Sequence, residues 1–468
     1  MDMRPEPFEP PAPIPRNRIL SRLQVIRTVL RNPLELWGRP SYTLPWIETK
    51  FFSERNLIVN DPRLIRHILV ENSSNYRMAE VRQLILRPIL RDGLLTAEGP
   101  VWKRSRKAMA PVFTPRHAKG FAGKMLAKSE EYVKKYADIG VAGRVEDMSA
   151  DMAEITFGIL SETLFSGDVV TTSDNFSDDV EALLHRMGRV DPMDMLRAPP
   201  WVPRLRRIGG AKVMKQFRDV VRQTMEKRRA RMKADRANTP DDFLTLLLEL
   251  DGPDGLTLDE IEDNILTFIG AGHETTARAL AWTLYCVSCS PDFRDVMERE
   301  IDEVLALGVE PVEWLDRMPH VRAAFEEGMR LYPPAPSLNR EAIKSDRWTS
   351  PAGETVSISA GMTILIMPWT LHRHELYWEK PRAFMPERFL PENRDKIDRF
   401  QYLPFGAGPR VCIGATFAMQ EAVIALAVLM SRYRIDALPG SKPWPVQRLT
   451  TQPRDGLPMR VTPRRRQS

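Results

Sequence analysis

The sequence predicts a mainly α (α+β) fold: one large helical domain with a long central helix and small β-sheets. Three observations predict it. Apolar residues at helical spacing dominate from Trp102 to about Lys233. From Thr257 to Ser290-Pro291 the chain has no helix breaker except glycines, which gives roughly 50 Å of helix at about 1.5 Å per residue. Strand-like patterns are confined to short stretches such as Leu57-Ile58-Val59 and Thr363 to Ile366.

Taken in order, the chain opens on a proline-rich arm, residues 1–18, and continues as a single domain over 19–468. Apolar spacing predicts a helix from Ile19 to Leu30 that stops at Asn32-Pro33. Phe51-Phe52 and Leu57-Ile58-Val59 read as strands around a turn at Glu54-Arg55-Asn56, and Asp61 caps a helix running through Ile68. The arginine-rich stretch from Arg77 to Gly99 reads as a long surface segment suited to binding. Breaks at Thr114-Pro115, Gly167-Asp168 and Pro199-Pro200 divide the helical region, and a further helix is expected from Asp241 to Leu250. Thr257 with Glu260 three residues on forms a capping box for the long helix. Glu354 to Ile358 and Thr363 to Ile366 suggest a hairpin around Ala360-Gly361. Residues 370–404 are irregular over a length that compact domains keep for functional segments. Ala415 to Met430 reads as an apolar helix.

Composition removes several classes of function. A chain of 468 residues, 43% hydrophobic, can bury a large core. Three cysteines, Cys286, Cys289 and Cys412, cannot build a disulfide framework and suit a reducing compartment. No secretory signal is evident, and the longest apolar run, Ala422 to Met430, is about half of what a membrane span needs. The net charge of +6 is spread through the chain among 62 acidic residues, which argues against nucleic-acid binding. The run Lys103 to Lys107 instead suits docking of an acidic protein partner. A zinc reading fails: His273-Glu274 has Ala277 where the second histidine would stand, and Cys286-Val-Ser-Cys289 lacks a second pair.

One stretch carries the chemistry: Phe405-Gly-Ala-Gly-Pro-Arg-Val-Cys412-Ile-Gly414. Gly406, Gly408 and Gly414 permit tight backbone geometry, Pro409 stiffens the turn, and an apolar helix follows. A thiolate at such a helix start is stabilised by free N–H groups and is a good soft ligand for iron. A buried structural cysteine at a glycine turn is the other reading of Cys412 taken alone.

Further strings accompany it. Ala271-Gly272-His273-Glu274-Thr275-Thr276 lies mid-helix, where each glycine costs about 1 kcal/mol relative to alanine. Small residues there let a flat group lie against the backbone, or else mark a close helix crossing. Glu327-Gly-Met-Arg330 pairs an acid and a base at i, i+3 with apolar flanks, and Phe384-Met-Pro-Glu-Arg388-Phe389 follows. Trp102-Lys-Arg-Ser-Arg106 sets an indole and a guanidinium on one helix face, which an ordinary amphipathic helix would also do.

In this order, the strings resemble the cytochrome P-450 family, soluble bacterial members with microsomal-type motifs above all. Phe405, Gly408, Arg410, Cys412 and Gly414 match its haem-thiolate loop, and Ala271, Glu274 and Thr275 its oxygen-binding helix. The resemblance implies haem b with Cys412 as axial iron ligand, and Glu274 and Thr275 as the catalytic pair that relays protons. It implies propionate contacts from Trp102, Arg106, Arg340 and Arg410, and a structural charge triad of Glu327, Arg330 and Arg388. The activity implied is insertion of one atom of O2 into a C–H bond of a small lipophilic substrate. Electrons would come from a ferredoxin- or flavodoxin-type donor docking near the Cys412 face, with Lys103, Arg104 and Lys107 as its contacts. Family position lines the pocket with residues 77–98, 185–215, Phe268, Ile269 and Ala335 to Leu338, where Arg82 and Arg87 are placed to meet a carboxylate. A monomer in the bacterial cytoplasm, without membrane anchor, is expected. The alternatives are a haem sensor or electron carrier, or a peroxide-using protein of the same fold.

Overall fold

The computed structural model describes residues 6–51, 54–168, 191–195, 202, 204, 210–252 and 255–464. The break expected at Pro199-Pro200 and most of the pocket segment 185–215 lie outside these residues.

The central helix spans Leu258–Ser288 and starts as its sequence dictates. Thr257 Oγ1 accepts from the Glu260 N–H at 3.2 Å, and Glu260 Oε2 accepts from the Thr257 N–H at 2.9 Å. It packs against the helix Met148–Phe165 on one side and Pro319–Leu331 on another. A third apolar helix, Ala415–Arg432, closes the same core. That helix, read in sequence as Ala415 to Met430, runs two residues further, and by length and composition it meets the requirement for crossing a membrane. However, 72% of it is buried inside the protein, as befits a core helix.

Small sheets flank the helices. β1 (Trp46–Phe51), β2 (Glu54–Val59), β3 (Tyr76–Met78), β5 (Leu338–Ala342) and β8 (Thr363–Ile366) form one sheet ordered β1-β2-β8-β5-β3. β4 (Arg144–Asp147), β12 (Pro458–Pro463) and β9 (Tyr433–Ala437) form another, with β12 in the middle. β6 (Asp346–Thr349) pairs with β7 (Thr355–Ile358), and β10 (Pro445–Gln447) with β11 (Thr451–Pro453).

Three local expectations differ from the structure. The turn between β1 and β2 falls before Glu54, because Glu54, Arg55 and Asn56 pair in register with Phe51, Lys50 and Thr49. Residues 77–99 are not irregular: β3 is followed by a helix, Glu80–Leu90, despite its internal Pro88. The strands at 355–358 and 363–366 exist but do not form a hairpin. β7 turns back on β6, while β8 runs parallel to β2 and antiparallel to β5. The strands β4, β9 and β12 had no sequence signal strong enough to predict them.

The proline-rich arm lies on the core. Phe8 O accepts from the Phe384 N–H at 2.8 Å, and Pro11 O from the Tyr332 hydroxyl at 2.7 Å. The Phe8 ring meets Tyr285 edge-on at 5.9 Å, and Glu9 lies 3.8 Å from Arg382.

Candidate active site

The cysteine loop is shaped by its glycines. Gly406 and Gly408 have φ of +71° and +74°, and Cys412 N–H donates to Phe405 O at 2.9 Å, closing the loop on itself. A Cβ at Gly408 would sit 1.8 Å from the backbone oxygen of Leu69, so any side chain would push two backbones apart. Gly408→Ala is therefore expected to combine about 1–3 kcal/mol of conformational strain with a backbone clash. Thermal unfolding and cofactor content would register both losses together. Gly414 differs from expectation: its φ of −89° suits any residue, and a Cβ there would meet no protein atom within 4 Å. Its bareness does not serve the turn.

Cys412 keeps accessible surface, yet protein surrounds it closely enough that burial pushes its thiol up. Both hold for a group lining a concavity inside the fold. The Gly414 backbone N–H and the Arg106 guanidinium act in the other direction and favour the thiolate. Arg106 stands on the helix Gly99–Met109, one turn after Trp102, and both are half-buried.

A basic cluster adjoins the loop. Arg410 lies 2.6 Å from Glu98 Oε2, donates to Ala97 O at 2.8 Å, and sits over the Trp102 ring at 4.8 Å. Glu98 Oε1 accepts from the Met78 N–H at 3.0 Å, and Met78 pairs across β3–β5 with Arg340. Arg82, in the first turn of the helix Glu80–Leu90, donates from Nη1 to Ser337 O at 2.7 Å. Burial pulls Arg340 down to about 10, and Arg82 and Arg410 beside it add to the effect. Arg87, by contrast, points outward and pairs with Asp92 at 3.0 Å. It does not line a pocket.

The central helix is buried throughout residues 261–287 except at Ala271, Gly272 and Thr275. Both readings of the small residues hold, on different faces. A Cβ at Gly272 would come 2.4 Å from Leu160 of the neighbouring helix, so this glycine permits a close crossing. Ala271 and Thr275, one turn apart, leave an open strip on the same helix. Thr275 Oγ1 donates to Ala271 O at 2.8 Å. Glu274 is buried, and its Oε1 accepts from Thr450 Oγ1 at 2.7 Å. His273 points into the core, where burial lowers its pKa to about 4 and keeps it neutral. Phe268 and Ile269 also turn inward: Phe268 stacks on Phe113 at 4.9 Å, and Ile269 is 1% exposed.

The charges Glu327, Arg330 and Arg388 are brought together. Arg330 Nε and Nη2 donate to the two Glu327 oxygens at 2.7 and 2.8 Å. The remaining donors reach His372 O, Pro381 O and Ala383 O at 2.6, 2.8 and 2.9 Å. Arg388 Nε stands off at 3.6 Å from Glu327. Cys286 is buried and Cys289 partly so, as packing residues, and no cluster of three metal-ligating side chains occurs among the described residues.

Sequence reasoning missed Arg82 as a neighbour of Arg340, Glu98 as the partner of Arg410, and Thr450 as the partner of Glu274. Each meets its neighbour across at least 170 residues of sequence, and none of the three lies in a motif of its own.

A thiol lining an internal concavity, arginines gathered beside it and a bare strip on a long buried helix together define a haem-thiolate class of protein. The donor set fits that group: one soft sulfur for iron, guanidinium groups for carboxylates, and at Gly414 a surface that a flat ring can approach. The chain belongs to the cytochrome P-450 family, whose model matches residues 41–459. It is 28% identical over 434 residues to the chloroplastic carotene epsilon-monooxygenase of Arabidopsis thaliana, covering 87% of this chain and 78% of that protein. It is 29% identical over 405 residues to cyclooctatin synthase of Streptomyces melanosporofaciens, covering 85% and 84%. A crystal structure of a cytochrome P-450 (CYP102L1) superposes with a TM-score of 0.79 at 25% identity, covering 98% of this chain and 100% of that one. The protein is a haem-thiolate monooxygenase, an enzyme of a family that uses O2, a lipophilic substrate and a redox partner.

Proposed function

We propose that this enzyme hydroxylates a small, uncharged lipophilic molecule of the isoprenoid kind, with electrons from a separate ferredoxin- or flavodoxin-type donor. The observation that carries the oxygenase assignment is the Cys412 thiol, which lines a concavity beside Arg106. In this reading Cys412 holds the haem iron, Trp102, Arg106, Arg340 and Arg410 hold its propionates, and Phe405, Gly408 and Gly414 shape the loop beneath it. When bound, the haem supplies dioxygen activation, which a thiolate ligand promotes by pushing electron density toward the iron.

The chain's own residues then govern the proton. Ala271 leaves room beside the open strip, and the Thr275 hydroxyl, held toward Ala271 O, would be the proton donor of that strip once it turns from this carbonyl. Glu274, held by Thr450, must release that bond to pass a proton to Thr275. Thr275→Ala should retain the absorption spectrum while most electrons consumed leave as hydrogen peroxide, measured as peroxide formed per reductant oxidised. Full coupling in this variant would remove Thr275 from the relay.

The neutral-substrate reading rests on two arginines. Arg87 is paired outward with Asp92, and Arg82 is drawn toward Ser337 and the basic cluster, so neither presents a cation to a substrate carboxylate. Two similar proteins are named for carotene and cyclooctatin chemistry, and carotene is an uncharged isoprenoid. Lys103 and Lys107 are exposed on the helix Gly99–Met109 and suit an acidic donor protein, whereas Arg104 is engaged by Glu260 at 2.6 Å. We place the enzyme in the bacterial cytoplasm as a monomer, with the arm and the 19–468 domain acting as one unit.

An absorption titration of the ferric enzyme tests the substrate. Terpenoids or carotenoids should shift the Soret band from low to high spin and fatty acids should not. A shift with fatty acids alone would overturn the isoprenoid reading and leave the oxygenase assignment standing.

A further inference from the structure

Arg82 belongs to none of the motifs that carry the family resemblance, yet its place in the chain and one hydrogen bond of its own draw it to the basic cluster. It leaves the end of β3 in the first turn of the helix Glu80–Leu90, four residues after Met78. Met78 is the β3 partner of Arg340, and its N–H holds the carboxylate that holds Arg410. Arg82 itself is anchored on Ser337 O, immediately before β5, the strand that carries Arg340. The chain therefore brings Arg82, Arg340 and Arg410 close enough to act on one another, with Glu98 as the carboxylate that pairs with Arg410. Among the described residues no other acid lies within ion-pair distance of Arg82, Arg340 or Arg410, so two positive charges stand unanswered in a half-buried place. A buried charge is costly unless it finds a partner: burial lowers the pKa of both Arg82 and Arg340, with Arg410 adding to the effect at Arg82 and both Arg82 and Arg410 adding to it at Arg340.

We propose that Arg82 is an additional anchor for the haem carboxylates in this enzyme, one that pairs with a propionate and raises the reduction potential of the bound iron. The proposal rests on the haem-thiolate reading of the site. A dianion bearing two carboxylates answers the two unpaired charges, Arg82 and Arg340, since among the described residues only Arg410 has an acid within ion-pair distance. A fixed positive charge beside the cofactor favours the state carrying one more electron, so its removal disfavours reduction.

The test is a reductive titration of the holoenzyme with dithionite, together with the rate of haem transfer to apomyoglobin. Arg82→Gln keeps an amide N–H for Ser337 O but removes the charge. It should move the reduction potential to more negative values and release haem several-fold faster, while Arg82→Lys retains most of the potential. Parental potential and release in Arg82→Gln would overturn the proposal, reducing Arg82 to a latch on Ser337. A Gln variant with parental haem properties but weakened fatty-acid binding would overturn it in favour of a substrate anchor. If Arg82→Gln does not fold, Arg82→Met, which keeps the length and removes the charge, decides in its place: a more negative potential with faster haem release supports the contact, and parental values overturn it. Parent enzyme that binds no haem would instead remove the reading on which the proposal stands.

Discussion

Cys412→Ser should fold, take up little haem and show no oxygenase activity above background. The physical case is the donor atom. A serine hydroxyl stays protonated where the thiol is helped toward thiolate by the Gly414 N–H and Arg106, and a neutral hard oxygen is a poor match for haem iron. The fold should survive because the side chain lines open space and is absent from the packed core clusters. Substitutions away from packed or paired groups usually stay within about 0.5 kcal/mol. Far-UV circular dichroism, unfolding of the haem-free protein and the Soret spectrum separate the two effects. Retained oxygenase activity in the serine variant would end the assignment of Cys412.

The second large effect is expected at Arg330. Its side chain and that of Glu327 are 0% exposed, and its guanidinium donates to five acceptors, two on Glu327 and one each on His372, Pro381 and Ala383. That uses every N–H the group has. Trp378 adds a ring face at 5.0 Å. Removing one partner of such a buried pair costs about 3–5 kcal/mol, a large part of the about 5–15 kcal/mol that holds a typical protein folded. Arg330→Ala should accumulate mostly as unfolded or haem-free protein. Arg330→Lys should be nearly as poor, because an ammonium offers three donors and no planar fork. Arg388→Ala should cost much less, since Arg388 approaches Glu327 only at 3.6 Å and is held otherwise by Lys380 O at 3.2 Å. Urea unfolding of the three variants gives the order directly. Equal losses at Arg330 and Arg388 would contradict the geometry.

Much of this site is legible in the amino-acid sequence, and the reason is locality. The cysteine loop, the capping box, the Glu327–Arg330 pair and the Ala271–Thr275 strip each lie within ten residues of sequence, where spacing alone fixes which groups share a face. Burial of Glu327 and Arg330 followed from their apolar flanks. What stayed hidden is long-range. β8 joins strands drawn from residues 56–59 and 338–341, and nothing in its four residues says so. A three-residue strand such as β3 carries too little alternation to be seen. The helix Glu80–Leu90 was obscured by Pro88 and its arginines, and with it went the position of Arg82. Gly414 was misread for a related reason: a glycine can be required by its backbone or by what approaches it, and only φ distinguishes the two.

The docking of the N-terminal arm has a consequence for the order in which the molecule is made. Pro11 is held by a hydroxyl 321 positions later, and β4 waits for β12 at residues 458–463. The groups that act on the cysteine are likewise drawn from two places, Arg106 and Gly414. A growing chain can form its helices as they emerge, but contacts of such separation must wait until the later partner has been made. Cofactor capture thus waits for the stretch around Cys412, long after the helix that carries Arg106 has emerged. Haem supply has to match the making of that stretch, not the initiation of the chain.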